Sequence, residues 1–479
     1  MKSLCIAALL PLIVANAAPA DIVSEADLRG HIAVLASDAF EGRAPGTEGE
    51  TKTIHYIADQ FARVGLSQGS GTQGWFQPVK LIERTPRTAG YSFTRQGKPI
   101  AVDASNFVLR ASAARTEIEK APLIFLGYGN NSKGLDPAGA VAMILQEAPD
   151  GSDYRVRRNA VLRRGAKAVI GIVAADFDFD ALERTMLAPV TVLAPGVDSG
   201  AEGMMTLEAA SALAFEAGKD VSALIEDAAQ PGYAGVALGI QADLKIGTDV
   251  RAFESHNVIG KVAGRDPKAG AIMLTAHWDH LGLCREEGAA DRICNGAIDN
   301  ASGVALLIET ARHLAHGPKP RRSIYFMATT AEERGLLGAL GFIADPLLPR
   351  ADIRAVLNAD TVAVAGKGAT IAVIGKGTVL DPFIARAAAV VGRKVDPDGD
   401  ADIMVQRQDG WAFAREKIPA VMIGGTFSDM ALAQKYLQST YHGPDDALTD
   451  TLDLGGAADD ATLHVVLARM LANAADLGG

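Results

Sequence analysis

Five short segments in the second half of the chain put a metal-binding or acid–base residue just after a strand-like run or in a nearby loop. His277-Trp278-Asp279-His280 follows the apolar run ending at Ala276, and Asn295-Gly296-Ala297-Ile298-Asp299-Asn300 precedes a helical stretch starting near Ser302. Glu332-Glu333 follows the run ending near Thr330, Asp360 closes Ala355-Val356-Leu357-Asn358-Ala359, and Tyr441-His442-Gly443-Pro444-Asp445 lies in a late loop. In open α/β sheets the ligand crevice lies outside the carboxyl ends of the strands, so residues far apart in sequence can meet there. Two histidines with three carboxylates, and no thiolate, suit zinc or a similar borderline metal in a catalytic site. A carboxylate can bridge two ions. Five ligands with one shared therefore give each of two ions three protein ligands and an open position, the pattern of a hydrolytic two-metal site. Of the adjacent Glu332 and Glu333, one can face metal and the other the attacking water.

Taken singly, each segment has an ordinary explanation. A His-x-Asp is commonly a surface or capping pair, Glu-Glu a solvated helix start, and Asp299 ahead of Asn300-Ala301-Ser302 a good helix N-cap. Their joint occurrence, in an order that follows strand ends, is what points to one site. His313 and His316 have helical spacing but stand in the last turn before Gly317, where the helix dipole favours them without any metal.

The elements that must hold these residues can be read from periodicity. Ala271–Ala276, Ser323–Ala328, Ala355–Leu357, Thr370–Ile374 and Ala420–Ile423 are apolar strand runs. They alternate with helices at Ser302–His316, Asp381–Val391 and beyond Asp460. This alternation predicts a doubly wound α/β domain whose core sheet is largely parallel and flanked by helices. Towards the N-terminus, Ser24 can cap a first helix, Glu41–Thr47 reads as an ordered loop, and Thr51–Val64 as a helix ended by Gly65. From about 120 to 245 the texture changes to short strands and helices without histidine, cysteine or a carboxylate cluster, which reads as a separate small domain.

Composition sets the outer limits. The 479 residues carry 46 Lys+Arg against 57 Asp+Glu, a net charge of −11, which argues against nucleic acid or an anionic membrane as main partner. Lys2, the apolar run Leu4–Val14 and Ala15-Asn16-Ala17 form a signal peptide over 1–17, and no later run is long enough to anchor the chain in a membrane. Export, to periplasm or medium, would leave Cys284 and Cys294, and an oxidising compartment makes a disulfide between them an expectation.

With these segments assembled, the chain resembles the secreted co-catalytic di-zinc aminopeptidases, related to glutamate carboxypeptidase II and glutaminyl cyclase. The resemblance rests on Thr275–Gly282, Asn295–Gly303, Ala331–Gly338, Asn358-Ala359-Asp360 and Tyr441–Asp446, with Leu35–Asp38 and Glu41-Gly42-Arg43 at the opening. It implies a zinc exopeptidase fold with a small protease-associated (PA)-like α+β insertion: 18–115 the first part of the peptidase domain, 116–248 the insertion, 249–479 the catalytic remainder. It also implies two zinc ions, one on His277 and Asp360, the other on Glu333 and His442, with Asp299 bridging. Asp279 would orient His277, and Glu332 would be the general base, acting on a metal-bridging water to hydrolyse N-terminal residues from peptides. Gln408-Asp409-Gly410-Trp411 departs from the Ser-Asp-His that many relatives carry. A carboxypeptidase or dipeptidase of the same scaffold, a glutaminyl-cyclase-like acyltransferase and a non-catalytic PA-domain binding protein remain the alternatives, and the oligomeric state is open.

Overall fold

The computed structural model describes residues 23–131, 133–196 and 200–477. The expected signal peptide at 1–17 lies outside the described residues. Among the described residues, no helix is long and apolar enough to cross a membrane.

The chain divides into two compact units, one ending at Val79 and resuming at Glu254, the other spanning Lys80–Phe253. In the first, strands Ala271–His277, Ser323–Thr329, Ile353–Asn358 and Ala420–Gly424 pair in parallel. They lie in the order 420–424, 353–358, 271–277, 323–329. Antiparallel strands close both edges: Ala372–Ile374 beside 420–424, and residues 258–262 beside 323–329. The sheet is the largely parallel, helix-flanked α/β sheet that the alternation predicts.

Successive residues on these strands point to opposite faces, and both faces are buried. Ile272, Leu274, Ile324, Phe326, Leu357 and Val421 pack into one core with Leu28, Ile57, Phe61, Leu306 and Leu467. Those partners come from the helices Glu25–Leu35, Glu48–Arg63, Ser302–Ala315 and Gly455–Asn473. Met273, Tyr325, Met327, Val356 and Ala420 face the other way, against Phe342 and Phe413 of Leu337–Ala344 and Gly410–Ala414. Burial on both faces is why these strands read as continuous apolar runs. Ser24 does cap the first helix, accepting from the Ala26 amide. The second begins earlier than expected, with Thr47 as its cap.

The second unit is built on parallel strands Arg115–Phe125, Val141–Leu145, Ala168–Ile172 and Ala201–Met205, with Phe107–Ala111 antiparallel at one edge. The expected insertion at 116–248 falls within this unit, whose limits are wider. Strands Phe76–Arg95 and Val236–Val262 carry the chain across its boundaries.

Candidate metal centre

His277 is the last residue of its strand, and Asp360 stands two residues beyond another. Glu332 and Glu333 follow Ser323–Thr329 in a loop where Ala331 and Leu336 take positive φ. Asp299 lies in the irregular turn Ala297–Ala301, with non-helical backbone at Asp299 and Asn300. It does not cap the next helix, whose N-cap is Ala301 without a side-chain bond. His442 sits in a late loop at φ 58° with the Tyr441 ring stacked on it, centroids 3.7 Å apart.

The five expected ligands converge. His277 Nε2 lies 3.2 Å from Asp299 Oδ1 and 3.4 Å from Asp360 Oδ1. His442 Nε2 lies 3.3 Å from Asp299 Oδ2 and 3.0 Å from Glu333 Oε2. The two oxygens of Asp299 thus face different histidines. Three of these separations, 3.2–3.4 Å, lie close to those of atoms sharing a metal, and the His442–Glu333 contact at 3.0 Å is shorter. Atoms bonded to a tetrahedral zinc at about 2.0–2.2 Å stand roughly 3.3–3.6 Å from one another. His442 Nε2 is buried and has no hydrogen-bond partner among the described residues despite those near oxygens, an orphaned nitrogen that a metal ion would satisfy. The donor set, oxygen and imidazole nitrogen, suits zinc.

Surrounding groups fix these side chains. Asp446 accepts from the amides of Ile298 (2.9 Å) and Asp299 (3.0 Å), and from the Tyr436 hydroxyl at 3.0 Å. Asn300 accepts from the amides of Gly303 and Thr361 and donates to Ala359 O, tying the Asp299 turn to the Asp360 loop. Thr361 Oγ1 donates to Asp360 Oδ1 at 2.9 Å. Asp279 is fully buried and accepts from the amides of Glu332 (3.0 Å) and Glu333 (3.4 Å). The His277 ring is held by the Asp279 backbone carbonyl, 3.1 Å from Nδ1, while the carboxylate stands 3.9 Å away. Asp279 therefore steers both the histidine and the glutamate pair, the first through its main chain.

Electrostatics follow from crowding carboxylates out of water. Burial pushes Asp279 up to about 7 and Asp409 up to about 6. Burial also holds Glu332 well above its usual range, with Asp360, Asp409 and Glu333 adding repulsion. Burial depresses His277, but Asp360, Glu332 and Asp299 outweigh it and hold it well above its ordinary value. Such a pocket attracts positive charge of any kind, a metal cation included.

Asp409, from the divergent Gln408–Trp411 segment, is buried and accepts from Thr329 Oγ1. His316 stays out of the cluster, its Nδ1 donating to Arg312 O at 2.8 Å. One neighbour had no expected role: His280, whose Nδ1 is 2.7 Å from Glu333 Oε1. Among the described residues, the groups that could hold a metal are His277, Asp299 and Asp360, and His280, Asp299 and Glu333. The expected disulfide is present: Cys284 and Cys294 are bonded, Cα atoms 5.7 Å apart.

Comparison with known proteins places this architecture. In fold the chain is similar to the aminopeptidase from Aneurinibacillus sp. strain AM-1, with a TM-score of 0.59 over 95% of this chain and 96% of that one, at 20% identity. In sequence, 129 residues are 30% identical to a vacuolar membrane protease of Candida dubliniensis and 33% identical to one of Candida albicans. Those matches cover 27% of this chain but only 12% and 13% of the two yeast proteins. Residues 257–470, which hold every expected ligand, match the model of peptidase family M28. Over those residues the chain is similar to peptidase family M28.

Proposed function

We propose that the protein is an exported zinc-dependent aminopeptidase, with His277 and Asp360 holding one zinc, Glu333 and His442 a second, and Asp299 shared. The observation that carries this reading is the split of Asp299, one oxygen 3.2 Å from His277 Nε2 and the other 3.3 Å from His442 Nε2. The fold shared with an aminopeptidase supports the choice among exopeptidases. The Cys284–Cys294 disulfide supports export to an oxidising periplasm or medium. Residues 116–248, which fall within the unit Lys80–Phe253, are read as the PA-like insertion.

When bound, the two ions would supply Lewis-acid polarisation of the scissile carbonyl and activate water. Glu332 takes the proton of the attacking water and delivers it to the departing amine, the two halves of general acid–base catalysis. Asp279 holds the Glu332 amide and, through its carbonyl, the His277 ring, so base and ligand keep a fixed relation. The peptide's new carboxylate and free amine are the products.

The test combines zinc content with hydrolysis of free and N-acetylated aminoacyl-arylamides. Wild type is expected to hold two zinc ions and cleave only the free-amine substrate. Glu332→Gln should keep its zinc and lose about 10²–10⁴-fold in rate. Equal cleavage of the acetylated substrate would end the aminopeptidase reading, and full activity of Glu332→Gln would end the base assignment.

A further inference from the structure

We propose that His280 is a positioning residue for the second metal site, holding Glu333 by one oxygen so that the other alone is presented to zinc. This rests on the metal-site reading above and extends it to a residue outside the five ligands.

His280 lies three residues beyond His277, is fully buried, and meets Glu333 Oε1 through Nδ1 at 2.7 Å. A carboxylate can only accept, so the hydrogen sits on Nδ1, a tautomer assigned from this contact. The other face of Glu333 is turned elsewhere: Oε2 is 3.0 Å from His442 Nε2. The distances separate the two roles. A separation of 2.7 Å is a hydrogen bond, and it is too short for two atoms sharing a tetrahedral zinc, which stand about 3.3 Å apart. His280 Nδ1 is also 3.8 Å from Asp299 Oδ2, farther than His442 Nε2 at 3.3 Å. Thus His442 faces the metal position, and His280 supports Glu333 from behind.

The pocket for the ring is built into the backbone. A Cβ at Gly296 would lie 2.6 Å from His280 Cγ and Cδ2, so this position, at φ 54°, admits the ring only as glycine. His280 Nε2 is buried and has no hydrogen-bond partner among the described residues, which leaves the bond to Glu333 as the ring's polar anchor there. A carboxylate with both oxygens free can rotate or chelate through both. Tying one oxygen removes that freedom before metal arrives, and partners of this kind are typically worth about 10–100-fold in metal affinity.

Zinc affinity, measured on the full chain by competition with a chromophoric chelator, tests this without reference to activity. Three variants are compared with wild type: His280→Leu removes the donor, His280→Asn places an amide nitrogen where Nδ1 stands, and His280→Gln carries its amide one bond too far. Wild type should bind two zinc ions. His280→Leu and His280→Gln should bind one ion as wild type does and the other about 10–100-fold more weakly. His280→Asn should recover most of the loss. Circular dichroism of the metal-stripped proteins checks that each folds; if His280→Leu does not, the Asn-to-Gln contrast decides. Wild-type affinity in both His280→Leu and His280→Gln would overturn the inference, as would an Asn variant as weak as Gln, which would make the ring itself the ligand. A wild type that binds fewer than two zinc ions would instead overturn the two-metal reading beneath it.

Discussion

Arg43 shows what a buried charge does away from the ligands. It is 1% exposed, and its guanidinium donates to Trp278 O and Leu35 O at 2.8 Å, Asn295 O at 2.6 Å and Gly296 O at 2.9 Å. Trp278 follows His277 and Gly296 precedes the Asp299 turn, so one side chain pins both ligand loops. Burial lowers it to about 10, with Asp299, Asp446 and Asp279 favouring its charge, and it stays protonated at neutral pH. Arg43→Met should take the guanidinium donor from four buried carbonyls, of which Gly296 O keeps the Ala301 amide at 3.1 Å, and cost about 3–5 kcal/mol, read as a lower thermal midpoint of the metal-stripped protein. Arg43→Lys should recover little, because an ammonium cannot reproduce the planar fork. An unchanged midpoint in Arg43→Met would sink this account. The five proposed ligands were legible in the sequence as candidates because imidazole and carboxylate at strand ends carry their chemistry in their type. Arg43, Asp446, Asn300 and His280 were legible only as parts of motifs. Their work is to satisfy particular carbonyls, amides or a carboxylate oxygen, and no spacing rule announces which.

At the scale of elements, the parallel strands act as arms of fixed length. The register pairing His277 with Thr329, and Thr275 with both Met327 and Asn358, brings His277, the Glu332 loop and Asp360 to one end of the sheet. That much follows from apolar runs and the rule for strand ends. The strand Val236–Val262 has no single signature in the sequence, because its burial alternates along most of its length and its pairing with Arg115–Phe125 shifts register. Alternation over so long a stretch, with glycines inside it, resembles several short strands in sequence. The Asp299 turn has its own brace: Gly282-Leu283 pairs with Ile293-Cys294, and the disulfide closes the loop between them. With a separation of 10 residues, the entropic model gives roughly 3 kcal/mol. The double variant Cys284→Ser/Cys294→Ser should lose about that much stability by urea titration and become insensitive to reductant, whereas the wild type should fall to the variant's level when reduced. A wild type indifferent to reductant would show that the hairpin holds without the bond.

Over the whole molecule, the net charge of −11 conceals an uneven burial, with Asp279, Asp299 and Asp409 among the fully or almost fully buried acids. A cation that enters only the folded site stabilises it by mass action, about 4 kcal/mol when zinc exceeds its dissociation constant 1,000-fold. Chelator should therefore lower the unfolding temperature and zinc restore it. Magnesium should not, since it prefers a shell of oxygen and water to imidazole. The stripped protein then exposes a second, proton-linked term in the core. Burial holds His464 down at about 4, and its Nδ1 donates to the carbonyl of Asp460 at 2.8 Å. Between the ordinary 6.5 and about 4, the unfolded chain binds a proton that the folded His464 refuses. This contribution is thus intact above pH 6.5 and is lost as pH falls. Burial drives Asp460 the opposite way, up to about 6 despite its ion pair with Arg393 at 2.7 Å. Folded Asp460 keeps a proton below pH 6 that the unfolded chain releases until about 3.8, so acid favours the fold through this group, and the two terms oppose each other. Replacing His464 by Asn removes one side of that balance. Relative to wild type, His464→Asn should gain about 2 kcal/mol between pH 7 and pH 5, measured by urea unfolding of the metal-stripped proteins at both values. Parallel losses in the two proteins would mean that His464 takes its proton in the folded core as readily as in water.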